Sequence, residues 1–177
     1  MTNRFLQAKT VIESLRDNGY SNTAYALAEL IDNSLQAGAT LVEVGLIESQ
    51  KVSNNKRKPY TISEIAIWDN GKGMDADTLQ KALQFGGGIH RNDKKGMGKF
   101  GMGLPNSSIS QCKKVEVWSW QKGETPVYSY LDIEEMKGGL LEDVPIPISR
   151  EIPNKYQKAL FSKMPPYGTL VLWSELD

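Results

Sequence analysis

The sequence is poor in the residues that build metal clusters and covalent staples. One cysteine, Cys112, and one histidine, His90, stand in 177 residues. A single cysteine closes no disulfide framework, and the two together cannot complete a structural zinc site. Net charge is missing as well, since 21 basic residues balance 21 acidic ones. No bulk field therefore draws in nucleic acid or a membrane surface, and a bound polyanion must be held by a local arrangement. No apolar run approaches the ~18 residues of a membrane span, and the N-terminus lacks a signal-peptide core. Internal repeats and low-complexity tracts are absent. The expectation is a cytoplasmic protein, one domain over residues 1–177, long enough to bury a core unaided.

What is present centres on the stretch from Ala28 to Thr40 (AELIDNSLQAGAT). At helical period Ala24, Leu27, Ile31 and Leu35 form an apolar stripe, which predicts a helix over about 22–37 lying on a core. Ser21 or Asn22 can cap its start, and Gly38 suits its end. Glu29 and Asn33, four residues apart, share a face roughly opposite that stripe. Such a pair is either a general base beside a metal ligand or simply the wet side of an amphipathic helix.

Around it, residues 3–17 have a helical rhythm that stops at Asp17-Asn18-Gly19. Leu41 to Ile47 and Tyr60 to Trp68 read as strands, with Ile62, Ile65 and Ile67 among the inward candidates, and Ser49 to Pro59 reads as an exposed loop. A short helix capped by Asp75 is predicted to Gln84, with Leu79, Ala82 and Leu83 inward. Phe85 to Gly103 holds seven glycines and can pack no core of its own. Leu104 to Gln111 suits a helix with Pro105 at a tolerated early position. Val115 to Gln121 and Val127 to Leu131 read as a hairpin, 138–153 as irregular, Asn154 to Lys163 as a helix, and Thr169 to Trp173 as a final buried strand. Helices early and strands late favour an α+β sandwich over a repeating βαβ fold.

Two further stretches carry chemistry. Asp69 ends an apolar strand and precedes Gly71 and Gly73. It is either a turn former or a buried carboxylate awaiting a donor from a ligand, such as the exocyclic amine of adenine, because an undonated buried carboxylate is costly. Gly96 to Gly103 matches G-x-G-x-x-G, but no strand precedes it, so the dinucleotide reading fails. Neither Gly-Lys pair is followed by serine or threonine, which excludes a P-loop, and the protein-kinase motifs are missing. Glycines just before a helix still present free amides and a positive dipole end, which suits phosphate.

In order, the pieces are E-x-x-x-N, D-x-G-x-G and G-x-x-G-x-G. In this arrangement the chain resembles the GHKL superfamily of ATPases, named for gyrase, the heat-shock chaperone, histidine kinases and MutL. The resemblance covers roughly residues 20–173. Phe100-Gly101-Met102-Gly103-Leu104 is similar to the microrchidia (MORC) and heat-shock chaperone branch. Glu29 to Thr40 is also close to MutL, although the MutL form of the third motif is absent.

The resemblance implies a Bergerat fold, a two-layer α/β sandwich with helices on one face of a mixed, mainly antiparallel sheet and a mobile lid at about 85–103. It implies ATP and magnesium as cofactors. Glu29 would activate the attacking water, and Asn33 would ligate magnesium. Asp69 would read adenine, assisted by Thr169, with Gly71, Gly73 and Met74 lining the base pocket and Ala37 at its wall. Gly98, Lys99, Phe100, Gly101, Met102 and Gly103 would wrap the phosphates, and His90 to Lys95 would belong to the lid. Related ATPases often complete the site with a lysine from a following domain. The expectation is thus the N-terminal part of a longer protein, with weak ATPase activity and an ATP-dependent homodimer. Its client or nucleic-acid partner is not specified by the sequence. Two other functions stay open, a nucleotide-binding module without turnover and a histidine-kinase-like catalytic domain.

Overall fold

Runs rich in β-branched and aromatic residues pair into one sheet, and the helices between them carry apolar faces that must be covered. The computed structural model describes residues 10, 12–50, 59–85, 103–122, 124–161 and 163–177. Helical turns at residues 12–17 (α1) lead into α2 (Thr23–Gln36). The strands β1 (Val42–Gln50) and β2 (Tyr60–Asp69) follow, then the short helices α3 (Ala76–Ala82) and α4 (Gly103–Ile109). The second half holds β3 (Cys112–Trp120), β4 (Val127–Asp132), α5 (Ile133–Lys137), β5 (Ile148–Ser149), α6 (Asn154–Leu160) and β6 (Gly168–Leu176).

The sheet order is β1-β2-β6-β3-β4-β5, with antiparallel pairing at each junction. The last strand is thus inserted at the centre, between β2 and β3, and its Leu170, Leu172 and Trp173 are wholly buried. Alternation sends Ile65, Ile67, Val115, Val117, Val171 and Trp173 to one face, where they meet Ile12, Ala26, Leu30, Leu79, Leu104 and Ile109 of the helices. Trp68, Trp118, Trp120, Leu170 and Leu172 point to the other face, where Ile152, Tyr156 and Phe161 cover them. Each such large side chain, fully buried, is worth roughly 1.5–3 kcal/mol of transfer free energy. The α+β sandwich expected from the order of elements is what forms, with α6 as an added cover on the second face.

Two sequence expectations are corrected. The buried residues of α2 are Ala26, Leu30 and Ser34, whereas Ala24 is exposed and Leu35 is 57% exposed. The core therefore meets the helix on a face rotated from the expected stripe, of which Leu27 still packs against the core, and Ser34 on that face spends its hydroxyl on a buried partner. In β2, Ile65 and Ile67 are buried but Ile62 is 45% exposed. The pairing with β1 shifts register between Ile47 and Glu48, and a shift breaks the period-two alternation.

The ends of α2 follow from its caps. Asn22 Oδ1 accepts from the Ala24 amide at 2.8 Å, satisfying one of the orphan donors of the first turn. Gly38 terminates the helix at φ +79°, a left-handed conformation that glycine adopts without Cβ strain.

Candidate functional site

Asp69 is the last residue of β2, and strand geometry carries its side chain to the buried end of the sheet. It is only 6% exposed. Ser34 Oγ donates to its Oδ2 at 2.9 Å, and the Gly71 amide donates to its Oδ1 at 2.8 Å. Burial pushes the Asp69 carboxyl above the ordinary carboxylate value, while hydrogen bonds from Gly71, Ser34 and the Thr169 backbone pull it back. An ionised carboxylate offers about four acceptor positions, so these three donors leave room for another. The Ser34 hydroxyl also lies 3.0 Å from the Leu30 carbonyl; its single proton favours the charged acceptor.

The turn after Asp69 is stitched to the end of α2. The Lys72 amide donates to the Ala37 carbonyl at 3.0 Å, and Asn70 Oδ1 accepts from the amides of Thr40 and Leu41 at 2.9 Å. Gly73 sits at φ +67°, and a Cβ there would overlap the Trp120 carbonyl oxygen. At Gly71 a Cβ would stand 3.0 Å from the Ala37 Cβ and 2.9 Å from Asp69 Oδ1. Thr169 pairs directly opposite Asp69 across β2 and β6. Ser119 joins the group from β3: its Oγ accepts from the Met74 amide at 2.8 Å. The same oxygen lies 3.1 Å from the Gly168 carbonyl and 2.9 Å from Thr169 Oγ1. Donation to Gly168 with acceptance from Thr169 and Met74 satisfies every one of these groups.

A second cluster lies along the same helix. Glu29 is half-buried on α2, one turn before the half-buried Asn33. The Tyr20 hydroxyl donates to Glu29 Oε2 at 3.3 Å, and burial together with the adjacent Glu29 charge raises the Tyr20 pKa. Gly103, the first residue of α4, packs so closely that a Cβ would overlap Glu29 Oε1. Tyr20, Tyr25, Glu29 and Asp32 help to line a cleft of about 420 Å³ beside the helix.

The structure thus gathers Ala37, Asp69, Gly71, Gly73, Met74 and Thr169 into one group. It sets Glu29, Asn33 and Gly103 along the helix that also carries Ser34. Gly98, Lys99, Phe100, Gly101, Met102 and the lid segment His90 to Lys95 lie outside the described residues. Sequence reasoning passed over Ser34, Ser119 and Tyr20. Ser34 carried one available signal, since it follows Ala26 and Leu30 at intervals of four residues. Ser119 and Tyr20 carried none, belonging to no motif.

Residues 20–159 match the family model described as Histidine kinase-, DNA gyrase B-, and HSP90-like ATPase. The chain belongs to this ATPase family. Membership supports ATP binding and a nucleotide-dependent role. Among curated relatives, it is 33% identical over 101 residues to Protein MICRORCHIDIA 5 of Arabidopsis thaliana, covering 55% of this chain and 13% of the relative. Protein MICRORCHIDIA 7 of the same plant is 31% identical over 97 residues, 53% of this chain and 13% of the relative. DNA mismatch repair protein pms1 of Schizosaccharomyces pombe is 27% identical over 149 residues, 82% of this chain and 17% of the relative. The chain therefore spans no more than about a sixth of the length of these relatives.

The residues present fit an adenine nucleotide and its metal ion. Asp69 retains acceptor capacity at a buried position, whereas the glycines at 71 and 73 are required by the turn's own packing against Ala37 and Trp120. Among the described residues no group of three or more His, Cys, Asp or Glu is placed to hold a metal ion. Asn33, half-buried one turn beyond Glu29, presents a neutral amide oxygen of the kind magnesium accepts beside its waters and phosphate oxygens. Among the described residues no helix is long and apolar enough to cross a membrane.

Proposed function

We propose that this domain binds ATP with magnesium and hydrolyses it slowly, as the nucleotide-driven switch of a larger protein. The observation that carries the reading is Asp69, a carboxylate only 6% exposed whose three protein donors leave an acceptor position for an adenine amine. Thr169, opposite it in the sheet, flanks the same position. Asn33, one turn beyond Glu29, supplies a neutral amide oxygen to the metal. Magnesium held there would neutralise charge on the phosphates. Glu29 orients the attacking water and takes its proton. Its carboxylate lies between Tyr20 and Gly103, where the glycine-rich stretch ends and phosphate is expected. Slow turnover follows if a charge partner from a following domain is needed to complete transition-state stabilisation. Closure over the nucleotide would then favour a homodimer, and Glu29 disfavours both a pure binding module and a histidine kinase.

Titration calorimetry with ATP, with and without magnesium, tests the binding step. Asn33→Ala is expected to remove the magnesium-dependent part of the affinity, and unchanged magnesium dependence would overturn the metal role. Glu29→Ala is expected to keep ATP binding while phosphate release falls by about 10²–10⁴-fold, the usual contribution of a general base. Phosphate release at the parent rate would place Glu29 on the wet side of the helix and no more. Phosphate recovered on a protein histidine, rather than in solution, would favour the kinase reading.

A further inference from the structure

The contact between Tyr20 and Glu29 goes beyond the family motifs. Tyr20 precedes α2 and belongs to no motif, yet its hydroxyl reaches forward along the helix to Glu29 Oε2 at 3.3 Å. The segment that carries it is fixed from elsewhere. Gln111, at the end of the turn after α4, donates from Nε2 to the Tyr20 carbonyl at 2.6 Å and accepts from Thr23 Oγ1 at 2.6 Å. The ring of Tyr20 is partly buried against the main core cluster. The hydroxyl is therefore held by packing and by a backbone anchor, not by its hydrogen bond to Glu29.

We infer that Tyr20 is a positioning residue for Glu29, a reading that rests on the function proposed above. A glutamate on a half-buried helix face has three side-chain torsions to fix before its carboxylate can take a proton from a directed water. Gly103 crowds Oε1 from one side. Tyr20 holds Oε2 from the other. One oxygen is thereby tied down and the other is left facing the start of α4, where phosphate and water are expected. Phenylalanine at position 20 would keep the ring and its packing and remove only the donor. Because the neighbouring cleft reaches Tyr20 and Glu29, the freed carboxylate would be left to solvent and lose its fixed orientation.

The test is steady-state ATP hydrolysis by the intact protein carrying Tyr20→Phe, beside Glu29→Gln and the double variant. Tyr20→Phe is expected to lower kcat about tenfold, the lower end for losing a hydrogen bond to a charged group. KM and ATP affinity should stay within about twofold, since the interaction matters only for chemistry. In the Glu29→Gln background the same change should have no further effect on kcat, because Tyr20 acts through Glu29. A parent-like kcat in Tyr20→Phe would overturn the inference, as would a fall of equal size in both backgrounds. A joint change in kcat, KM and melting temperature would mark Tyr20 as structural and overturn it too. Any of these with Glu29→Gln itself inactive leaves the proposed ATPase standing. A parent protein that binds ATP without turnover overturns the ATPase and this inference together.

Discussion

Gly103 lies so close to Glu29 that a methyl group in place of its hydrogen would overlap carboxylate Oε1. The clash is with the far end of a flexible side chain, which can swing away at small cost to folding. It cannot swing away without leaving the position from which it would act. Gly103→Ala is therefore expected to melt close to the parent temperature while kcat falls on the order of 10²-fold, the effect of displacing a reacting group by about 1 Å. Phosphate-release kinetics beside a melting curve checks this; a parent-like kcat would show that Glu29 has no fixed post.

Asp69 gives a prediction in two directions. Asp69→Asn should lose ATP affinity by about 10- to 150-fold, equivalent to ~1.5–3 kcal/mol for a hydrogen bond to a charged group. Without ligand the same substitution should become relatively favourable as pH rises. Burial raises the carboxyl above its ordinary value of 3.8, so the protonated form is the one favoured by folding. That contribution is present below the unfolded value and is lost as pH climbs through the raised one. The melting temperature of the variant minus that of the parent is thus expected to grow from pH ~4 towards neutrality. A difference that stays flat with pH would mean that the hydrogen bonds from Ser34 and Gly71 fully offset burial.

At Gly73 two constraints coincide, a φ of +67° and backbone at the place a Cβ would occupy. The Trp120 carbonyl cannot yield as a side chain can. Gly73→Ala is expected to cost more than ~1 kcal/mol of stability and to weaken ATP binding along with it. Denaturant unfolding and calorimetry on one preparation would check both, and loss of binding at unchanged stability would contradict the argument.

Ser119→Ala removes the acceptor of the Met74 amide and the link to Thr169. A buried donor left unsatisfied costs about 1–3 kcal/mol. The expected result is a midpoint shift of that size with a smaller loss of ATP affinity, since in the proposed site Ser119 would act through Met74 and Thr169 rather than on the base. An affinity loss as large as that of Asp69→Asn would instead make Ser119 a direct contact.

The residues that the sequence made legible were those bound by spacing. Glu29 and Asn33 stand one helical turn apart, Asp69 stands two residues from Gly71, and Gly168-Thr169 opens the last strand. Such intervals are local, and local geometry follows from the chain. What stayed hidden was decided at long range. Ser34 finds its buried partner in Asp69, 35 residues away; its spacing from Ala26 and Leu30 was a local hint, but the partner itself was not legible. Ser119 meets Thr169 across 50 residues, through a strand inserted at the middle of the sheet. Ile62 lies beyond a register shift at which its own strand carries the extra residue, Ser63. Each of these is a property of pairing, and pairing is absent from a linear pattern.

Trp120 turns its carbonyl towards Gly73, donates from its indole to the Pro165 carbonyl at 2.8 Å, and meets the Phe161 ring edge-on at 6.1 Å. The four tryptophans of the chain, Trp68, Trp118, Trp120 and Trp173, are all buried in the sheet, and of these Trp120 is the one whose backbone abuts the glycine turn. The protein thereby carries its own optical probe. If adenine binds beside Gly73 as proposed, the Trp120 carbonyl is the route by which occupancy would reach the indole, and a change in Trp120 emission is the expected readout. With the other three replaced by phenylalanine, a fluorescence titration with ATP would test the proposed base site at this turn, and unchanged Trp120 emission at saturation would count against it.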